Sequence, residues 1–380
     1  MTPPALAVLA LGVLLAFVNG ANDVSKGIAT LAGSGVSDYR RAIRWGAIWT
    51  AAGGLVGASA AGATLETFGK GLLEPGTTPS FSAALATILG AAASVLIATR
   101  TGLPVSTTHA ILGAIGGVGI AAYGPRAVCW GTIGEKIALP LLLSPLVSFS
   151  LTVALFRLDR RISGTPRGAA ADCLCAEVEP ARIAVAVTAD ASSHASALVP
   201  VGARLRLRVA LSDACPSEKV AMVRLTLDPL HWLTSGATSF ARGLNDAPKI
   251  VASVLAAAAL SSGAPLHPML AFAAVTAGMV AGSLAGGRRV THVLAERLTR
   301  MDHREGFGAN LVTSLLVAAG AVGGLPMSTT HVSSAAIVGA GIERGPGALH
   351  GETVRNMALA WVATLPVAAL FGALCVWVFP

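Results

Sequence analysis

Apolar residues run in long blocks along this chain, over 5–21, 45–63, 80–99, 136–156, 306–323 and 355–379, with Gly, Pro or polar clusters between them. Each block approaches the roughly 20 residues that an α-helix needs to cross a ~30 Å hydrocarbon core. The pattern breaks once, over 157–228, where charged residues become frequent and three short runs (182–188, 204–209 and 220–227) alternate apolar with polar side chains. A period of two predicts half-buried strands. The chain therefore divides into a first membrane unit over 1–156, a small β-rich central insert on the cytoplasmic side over 157–228, and a second membrane unit over 229–380.

The two membrane units repeat one another. Phe17-Val18-Asn19-Gly20-Ala21-Asn22-Asp23-Val24-Ser25-Lys26 recurs 223 residues later as Phe240-Ala241-Arg242-Gly243-Leu244-Asn245-Asp246-Ala247-Pro248-Lys249. Leu103-Pro104-Val105-Ser106-Thr107-Thr108-His109 recurs 222 residues later as Leu325-Pro326-Met327-Ser328-Thr329-Thr330-His331. Two motifs in the same order at nearly one offset mark structural copies. In the first unit the loop with Arg40, Arg41 and Arg44 is basic and the next, 64–79, is not; in the second the uncharged loop 261–267 comes first, and Arg288, Arg289, Arg297, Arg300 and Arg304 follow. With basic loops inside, equivalent loops lie on opposite faces and the N-terminus lies outside, the inverted-repeat design of secondary transporters. The expected fold is thus an all-α polytopic membrane protein of two inverted repeats with broken helices and helical hairpins. The basic start of the insert (Arg157, Arg160, Arg161, Arg167) demands an odd number of crossings before it. Either the Pro-Val-Ser-Thr-Thr-His segment contributes one, or the run 130–156, with Pro140 and Pro145, splits.

Composition supports the bilayer: 54% of the 380 residues are hydrophobic, 12% are charged and mean hydropathy is +0.70, outside the range of soluble domains. The 43 glycines suit helices that pack closely in lipid. A net charge of +8 would suggest nucleic acid in a soluble chain. Here the basic residues sit in short loops, so they orient the chain and imply no nucleic-acid partner. The first apolar block lacks a basic leader and an A-x-A-like cleavage site, and reads as a membrane helix in place of a signal peptide. Five cysteines, Cys129, Cys173, Cys175, Cys215 and Cys375, form no disulfide framework. Cys173-x-Cys175 with Cys215 has a nonspecific spacing for a metal, and no metal or cofactor is expected.

The chemistry lies in the repeated motifs. Asn22-Asp23 and Asn245-Asp246 stand at apolar depth beside Gly, and the second is followed by Pro248, which predicts a broken helix. A carboxylate there costs on the order of 3 kcal/mol unless paired or hydrated, so it reads as a cation or proton site, or as a charge paired with its own i+3 lysine. The Pro-x-Ser-Thr-Thr-His elements read as helix starts with Ser caps, followed by small apolar helices over 110–122 and 332–341. Free N–H groups, the positive helix end and the hydroxyls of Ser106, Thr107, Thr108, Ser328, Thr329 and Thr330 suit a tetrahedral oxyanion. The bland alternative is that these hydroxyls bond backbone carbonyls or neighbouring helices. His109 and His331 read as proton carriers, anion ligands or interior histidines that orient the hairpins. No nucleophile and base occur in a recognisable order, so the chain is not expected to be an enzyme.

Gly-Ala-Asn-Asp-Val, its Gly-Leu-Asn-Asp partner and the paired Pro-x-Ser-Thr-Thr-His elements resemble the inorganic phosphate transporter family of sodium- or proton-coupled permeases. The resemblance covers both membrane units and leaves the insert aside. It implies an inverted-repeat helical fold with phosphate and cations held by the residues named. Family members carry a neutral Asn where this chain has Lys26, whose mate is Lys249. An ammonium beside Asp23 or Asp246 can take the electrostatic place of a bound cation, which argues for protons over sodium.

The combined expectation is a symporter in a prokaryotic plasma membrane that imports inorganic phosphate, with homo-oligomerisation left open. Ser106 to Thr108, Ser328 to Thr330, Lys26 and Lys249 hold the anion; Asn22, Asp23, Asn245, Asp246, His109 and His331 serve the coupling proton or sodium ion. The rivals are a sulfate or related oxyanion permease of the same fold and a phosphate-sensing membrane protein whose insert signals.

Overall fold

The structure, a computed structural model, describes residues 2–60, 62–70, 73–163, 173–190, 193–210, 223–261, 265–325, 327–345 and 347–378. Helix α1 (Pro3–Asp23) passes through Val24 into α2 (Ser25–Gly33), and α3 (Tyr39–Ala60) and the short α4 (Gly62–Lys70) follow. Helices α5 (Phe81–Thr101) and α6 (Thr107–Tyr123) form a hairpin. A single turn, α7 (Trp130–Thr132), runs through a π-helical segment into α8 (Leu139–Ser163). The second unit holds α9 (Leu227–Ala259), α10 (Pro268–Gly286), α11 (Arg288–His292), α12 (His303–Val322), α13 (Thr329–Arg344) and α14 (Gly351–Val378). Six helical stretches among the described residues are long and apolar enough to cross a bilayer: Pro3–Gly33, Phe81–Thr101, Trp130–Ile162, Pro268–Gly286, His303–Val322 and Gly351–Val378. This is an integral membrane protein. Large apolar side chains such as Leu142, Val362 and Trp377 point outward at 69%, 76% and 80% exposure, as a lipid-facing surface requires.

Among the described residues between α8 and α9, β1 (Cys173–Asp190) pairs antiparallel with β2 (Ser193–Ala210) and β3 (Val223–Thr226). The boundaries of this insert differ from those read in the sequence. Arg157 and Arg160 belong to the last turns of α8, because both pair with Glu343 at the end of α13. Asp228 lies in the first turn of α9, held 2.5 Å from His303 at the start of α12. The metal reading of Cys173, Cys175 and Cys215 falls on side chains outside the described residues.

The sequence predicts broken helices at both Asn-Asp motifs; in the structure the first is interrupted at Val24 alone and the second is continuous, which corrects the second. Val24 keeps right-handed helical angles and its N–H donates to the Gly20 carbonyl at 3.2 Å. Helix α9 runs through Asn245, Asp246 and Pro248 without interruption. A break exposes carbonyls to an apolar medium, and here side chains satisfy the loosened turn: Ser25 Oγ and Lys26 Nζ donate to the Asn22 carbonyl at 2.7 and 3.0 Å. The true breaks fall at the hairpin tips. Gly102, with φ +78°, ends α5 in the left-handed conformation that favours glycine, and Ser106 caps α6 by accepting from the His109 N–H. At the other tip Ser328 caps α13 through the His331 N–H; Pro326 lies outside the described residues. The Pro-Val-Ser-Thr-Thr-His segment thus reverses the chain, while the helical run through Pro140 and Pro145 stays in one span.

The copies interlock reciprocally. A Cβ on Gly282 of α10 would overlap the Phe17 carbonyl of α1, and one on Gly53 of α3 would overlap the carbonyl of Phe240 in α9, the repeat mate of Phe17. Likewise Gly117 of α6 meets the Ala369 carbonyl of α14, and Gly339 of α13 meets the Phe149 carbonyl of α8. Each unit therefore packs on the other through close backbone crossings, which require glycine at Gly282, Gly53 and Gly117 and are tight at Gly339.

Candidate functional site

Two turns of polar residues on α1–α2 and α9 meet the two hairpin tips inside the apolar core. Asp23, Lys26, Asp246 and Lys249 are 2%, 0%, 4% and 2% exposed, so their charges must be satisfied by one another or by the protein. In the first copy Lys26 Nζ lies 2.5 Å from Asp23 Oδ1 and donates also to Asn22 Oδ1 at 2.7 Å and to the Asn22 carbonyl. Asn22 in turn donates to Thr99 Oγ1 and to the Leu103 carbonyl, both at 3.0 Å, and its Oδ1 accepts from the Val105 N–H. The amide thereby clamps the first hairpin tip to α1.

The second copy is not a replica. Lys249 Nζ stands 3.6 Å from Asp246 Oδ1 and donates to the Met327 carbonyl at 2.8 Å and to Thr108 Oγ1 at 2.9 Å, across to the other repeat. Asn245 donates to Asp246 Oδ1, the Met327 carbonyl and Thr329 Oγ1. Asn19 joins the two halves: its amide donates to Asp23 Oδ2, Thr107 Oγ1 and Asp246 Oδ2 at 2.9, 2.9 and 3.3 Å.

The hairpin tips also meet directly. Thr330 Oγ1 donates to the Val105 carbonyl at 2.7 Å, and Thr107 Oγ1 donates to Asp23 Oδ2 at 3.2 Å. The rings of His109 and His331 are 4.6 Å apart, and His331 stacks on Trp361 at 4.2 Å. All the residues singled out in the sequence thus converge on one buried cluster. Ser106 and Ser328 have their hydroxyls engaged as caps, and the threonine hydroxyls bridge the tips to the Asn-Asp helices.

One central residue escaped the sequence reading. Arg242 is fully buried in electrostatic reach of Asp23 and Asp246, and its Nη2 donates to Thr50 Oγ1 at 3.0 Å and to Ser283 Oγ at 3.5 Å. Its Nε and Nη1 have no acceptor among the described residues. The signal was present: Arg242 is the repeat mate of Asn19, and an ionisable residue at membrane depth is a functional candidate by default. Thr50, Thr99 and Ser283, lone hydroxyls on other helices, carried no such signal. Three buried cations now face two buried carboxylates, an excess of one positive charge suited to an anion.

Known proteins resemble this chain over nearly its whole length. A Rhizobium meliloti protein named as a probable low-affinity inorganic phosphate transporter is 26% identical, over 98% of this chain and 96% of its own. The chloroplastic inorganic phosphate transporter 2-1 of Arabidopsis thaliana is also 26% identical, over 98% of this chain and 72% of its own. A solved structure described as the sodium-dependent phosphate transporter has the same fold, with a TM-score of 0.74, 22% identity and 99% of both chains covered. The model of the phosphate transporter family matches residues 19–372, nearly the whole length, and the chain belongs to that family.

Proposed function

We propose that this protein is a secondary active transporter that imports inorganic phosphate with protons, through two inverted repeats that rock about the buried cluster. The observation that carries the choice of proton is the position of Lys26. Its ammonium is held at 2.5–3.0 Å by a carboxylate, an amide oxygen and a main-chain carbonyl, the oxygen set that an alkali cation would seek. Lys249 sits likewise against Asp246, Thr108 and the Met327 carbonyl. With both oxygen nests filled by fixed cations, the mobile coupling ion is a proton, carried by Asp23 or Asp246 with His109 and His331 next. Uptake of labelled phosphate into proteoliposomes should rise with an inward proton gradient and change little when potassium replaces sodium. Excess sulfate in the same assay should leave uptake intact; complete competition would reassign the anion.

The paired Ser-Thr-Thr elements serve as the anion seat, exchanging their internal partners for phosphate oxygens at two helix N-termini. Thr107→Ala and Thr329→Ala are each expected to weaken phosphate binding by roughly tenfold, the worth of one charged hydrogen bond. Unchanged affinity in both single variants and in the double variant would move the site elsewhere.

Reciprocal packing of equivalent elements suits a two-fold relation, and the reversed order of basic loops suits an axis in the membrane plane. The extended segment between α8 and α9 is then a cytoplasmic β-rich insert. Single cysteines at Asp38 and Arg300 should react only with reagent applied to the cytoplasmic face, and those at Thr78 and His267 only from outside. Labelling of positions 38 and 267 from one side would rule out inversion.

A further inference from the structure

Away from the buried cluster, the end of α5 and the α11 region border an open groove of about 560 Å³ whose lining includes Arg100, Gly102, Arg288, Arg289, His292 and Arg297. Orientation by basic loops explains why arginines lie on this face of the membrane. It does not explain why three of them on one short segment, Arg288, Arg289 and Arg297, border one concave space together with Arg100 from the first unit. The local acid is already occupied: Glu296 accepts from the Tyr39 hydroxyl and pairs with His292 at 3.2 Å. Arg288 lies over the Tyr39 ring, 5.6 Å from its centroid, and Arg289 Nη1 donates to the Arg100 carbonyl at 2.8 Å, capping the end of α5. None of the four guanidiniums has a carboxylate partner among the described residues. Like charges gathered in this way repel unless an anion joins them, and a guanidinium fork matches a phosphate bidentately.

We infer that this groove is a second binding site for a phosphate group, either free inorganic phosphate or the phosphodiester of an anionic lipid headgroup. Its position links it to the central cluster. Arg100 follows Thr99 and Gly102 precedes Leu103, and Thr99 and Leu103 are the two acceptors that hold the Asn22 amide. An anion in the groove thus sits against the end of α5 that leads into the first hairpin tip. The assignment stands on the groove's own chemistry and does not require that the central site transport phosphate.

The test compares the full-length parent with Arg100→Gln/Arg297→Gln, both set in a Thr107→Ala/Thr329→Ala background so that the central site is weakened equally. One arm measures inorganic phosphate binding in neutral, lipid-free detergent at constant ionic strength. The other measures the unfolding temperature in nanodiscs of phosphatidylcholine with and without phosphatidylglycerol. The glutamine pair should weaken binding at least about tenfold in the first arm, which makes free phosphate the ligand, or abolish a phosphatidylglycerol-dependent stabilisation in the second, which makes it the lipid. Equal behaviour of parent and variant in both arms overturns the site, as does a phosphate response that chloride reproduces. Should the glutamine pair fail to fold, Arg100→Lys/Arg297→Lys keeps the charge, removes the forks and should still weaken binding several-fold. Phosphate uptake by the chain with all four arginines in place, compared with its Thr107→Ala/Thr329→Ala variant, reports on the central site, so failure of the transport reading is seen separately.

Discussion

On the proposal of proton coupling, Lys26→Asn should make transport depend on sodium. Removing the ammonium leaves Asp23, 2% exposed, as a buried carboxylate without its partner, a change that costs roughly 3–5 kcal/mol in comparable buried pairs. The vacated space is walled by Asp23 Oδ1, Asn22 Oδ1 and the Asn22 carbonyl, and the new asparagine adds an amide oxygen. A cation that enters restores the lost charge balance, and a ligand that binds only the folded state stabilises it by about 2.7 kcal/mol at a hundredfold excess over Kd. The unfolding temperature of the variant should therefore rise with sodium chloride and not with choline chloride, while the parent responds to neither. Its phosphate uptake should acquire a sodium requirement. A strict sodium requirement in the parent, with no response to a proton gradient, would falsify the proton assignment.

Arg242→Met should separate binding from stability. The guanidinium is fully buried with Nε and Nη1 lacking acceptors, and a buried cation without full hydrogen bonding destabilises the protein that holds it. Such strain persists where a ligand relieves it. Methionine keeps an unbranched apolar stem and carries no charge, so the phosphate-free variant should unfold at the same or a higher temperature than the parent. Loss of a charged hydrogen bond to phosphate, about 1.5–3 kcal/mol, should at the same time weaken phosphate binding by roughly 10- to 100-fold. Arg242→Lys, which keeps the charge and loses the fork, should fall between the two. If Arg242→Met binds phosphate as the parent does, the guanidinium serves the packing of α3, α9 and α10 through Thr50 and Ser283 instead.

Much of this site follows from local rules that sequence obeys by itself. Apolar block lengths are set by bilayer thickness, so membrane insertion was legible without any fold. Ser106 and Ser328 cap helices because a hydroxyl three residues before a free N–H satisfies it in any context, and both caps form as read. The i+3 contact of Asp23 with Lys26 is also local, and it forms at 2.5 Å. Duplication told which residues belong to one chemistry.

What tertiary structure decided is where local rules compete with distant partners. The same Asp-x-x-Lys spacing yields a tight pair in one copy and a 3.6 Å separation in the other, because Lys249 finds the Met327 carbonyl and Thr108 on hairpin tips brought to it by packing. Both Asn-Asp helices were expected to break, yet α9 continues and in the first copy Ser25 and Lys26 both satisfy the Asn22 carbonyl, and no sequence period shows where such a bond will close. Asn19 bonding Asp246, Thr330 bonding Val105 and the meeting of His109 with His331 all join residues more than 200 positions apart. Composition and periodicity report on neighbours within a turn or two of one element. The sequence by itself therefore determined the membrane, the duplication, the capped helix starts and the residue types of the site. The packed glycine crossings decided which of those residues touch: helical spacing alone sets Arg242 one turn from Asp246 on α9, and only the fold brings it within electrostatic reach of Asp23, because only the fold sets the distance between charges on different helices.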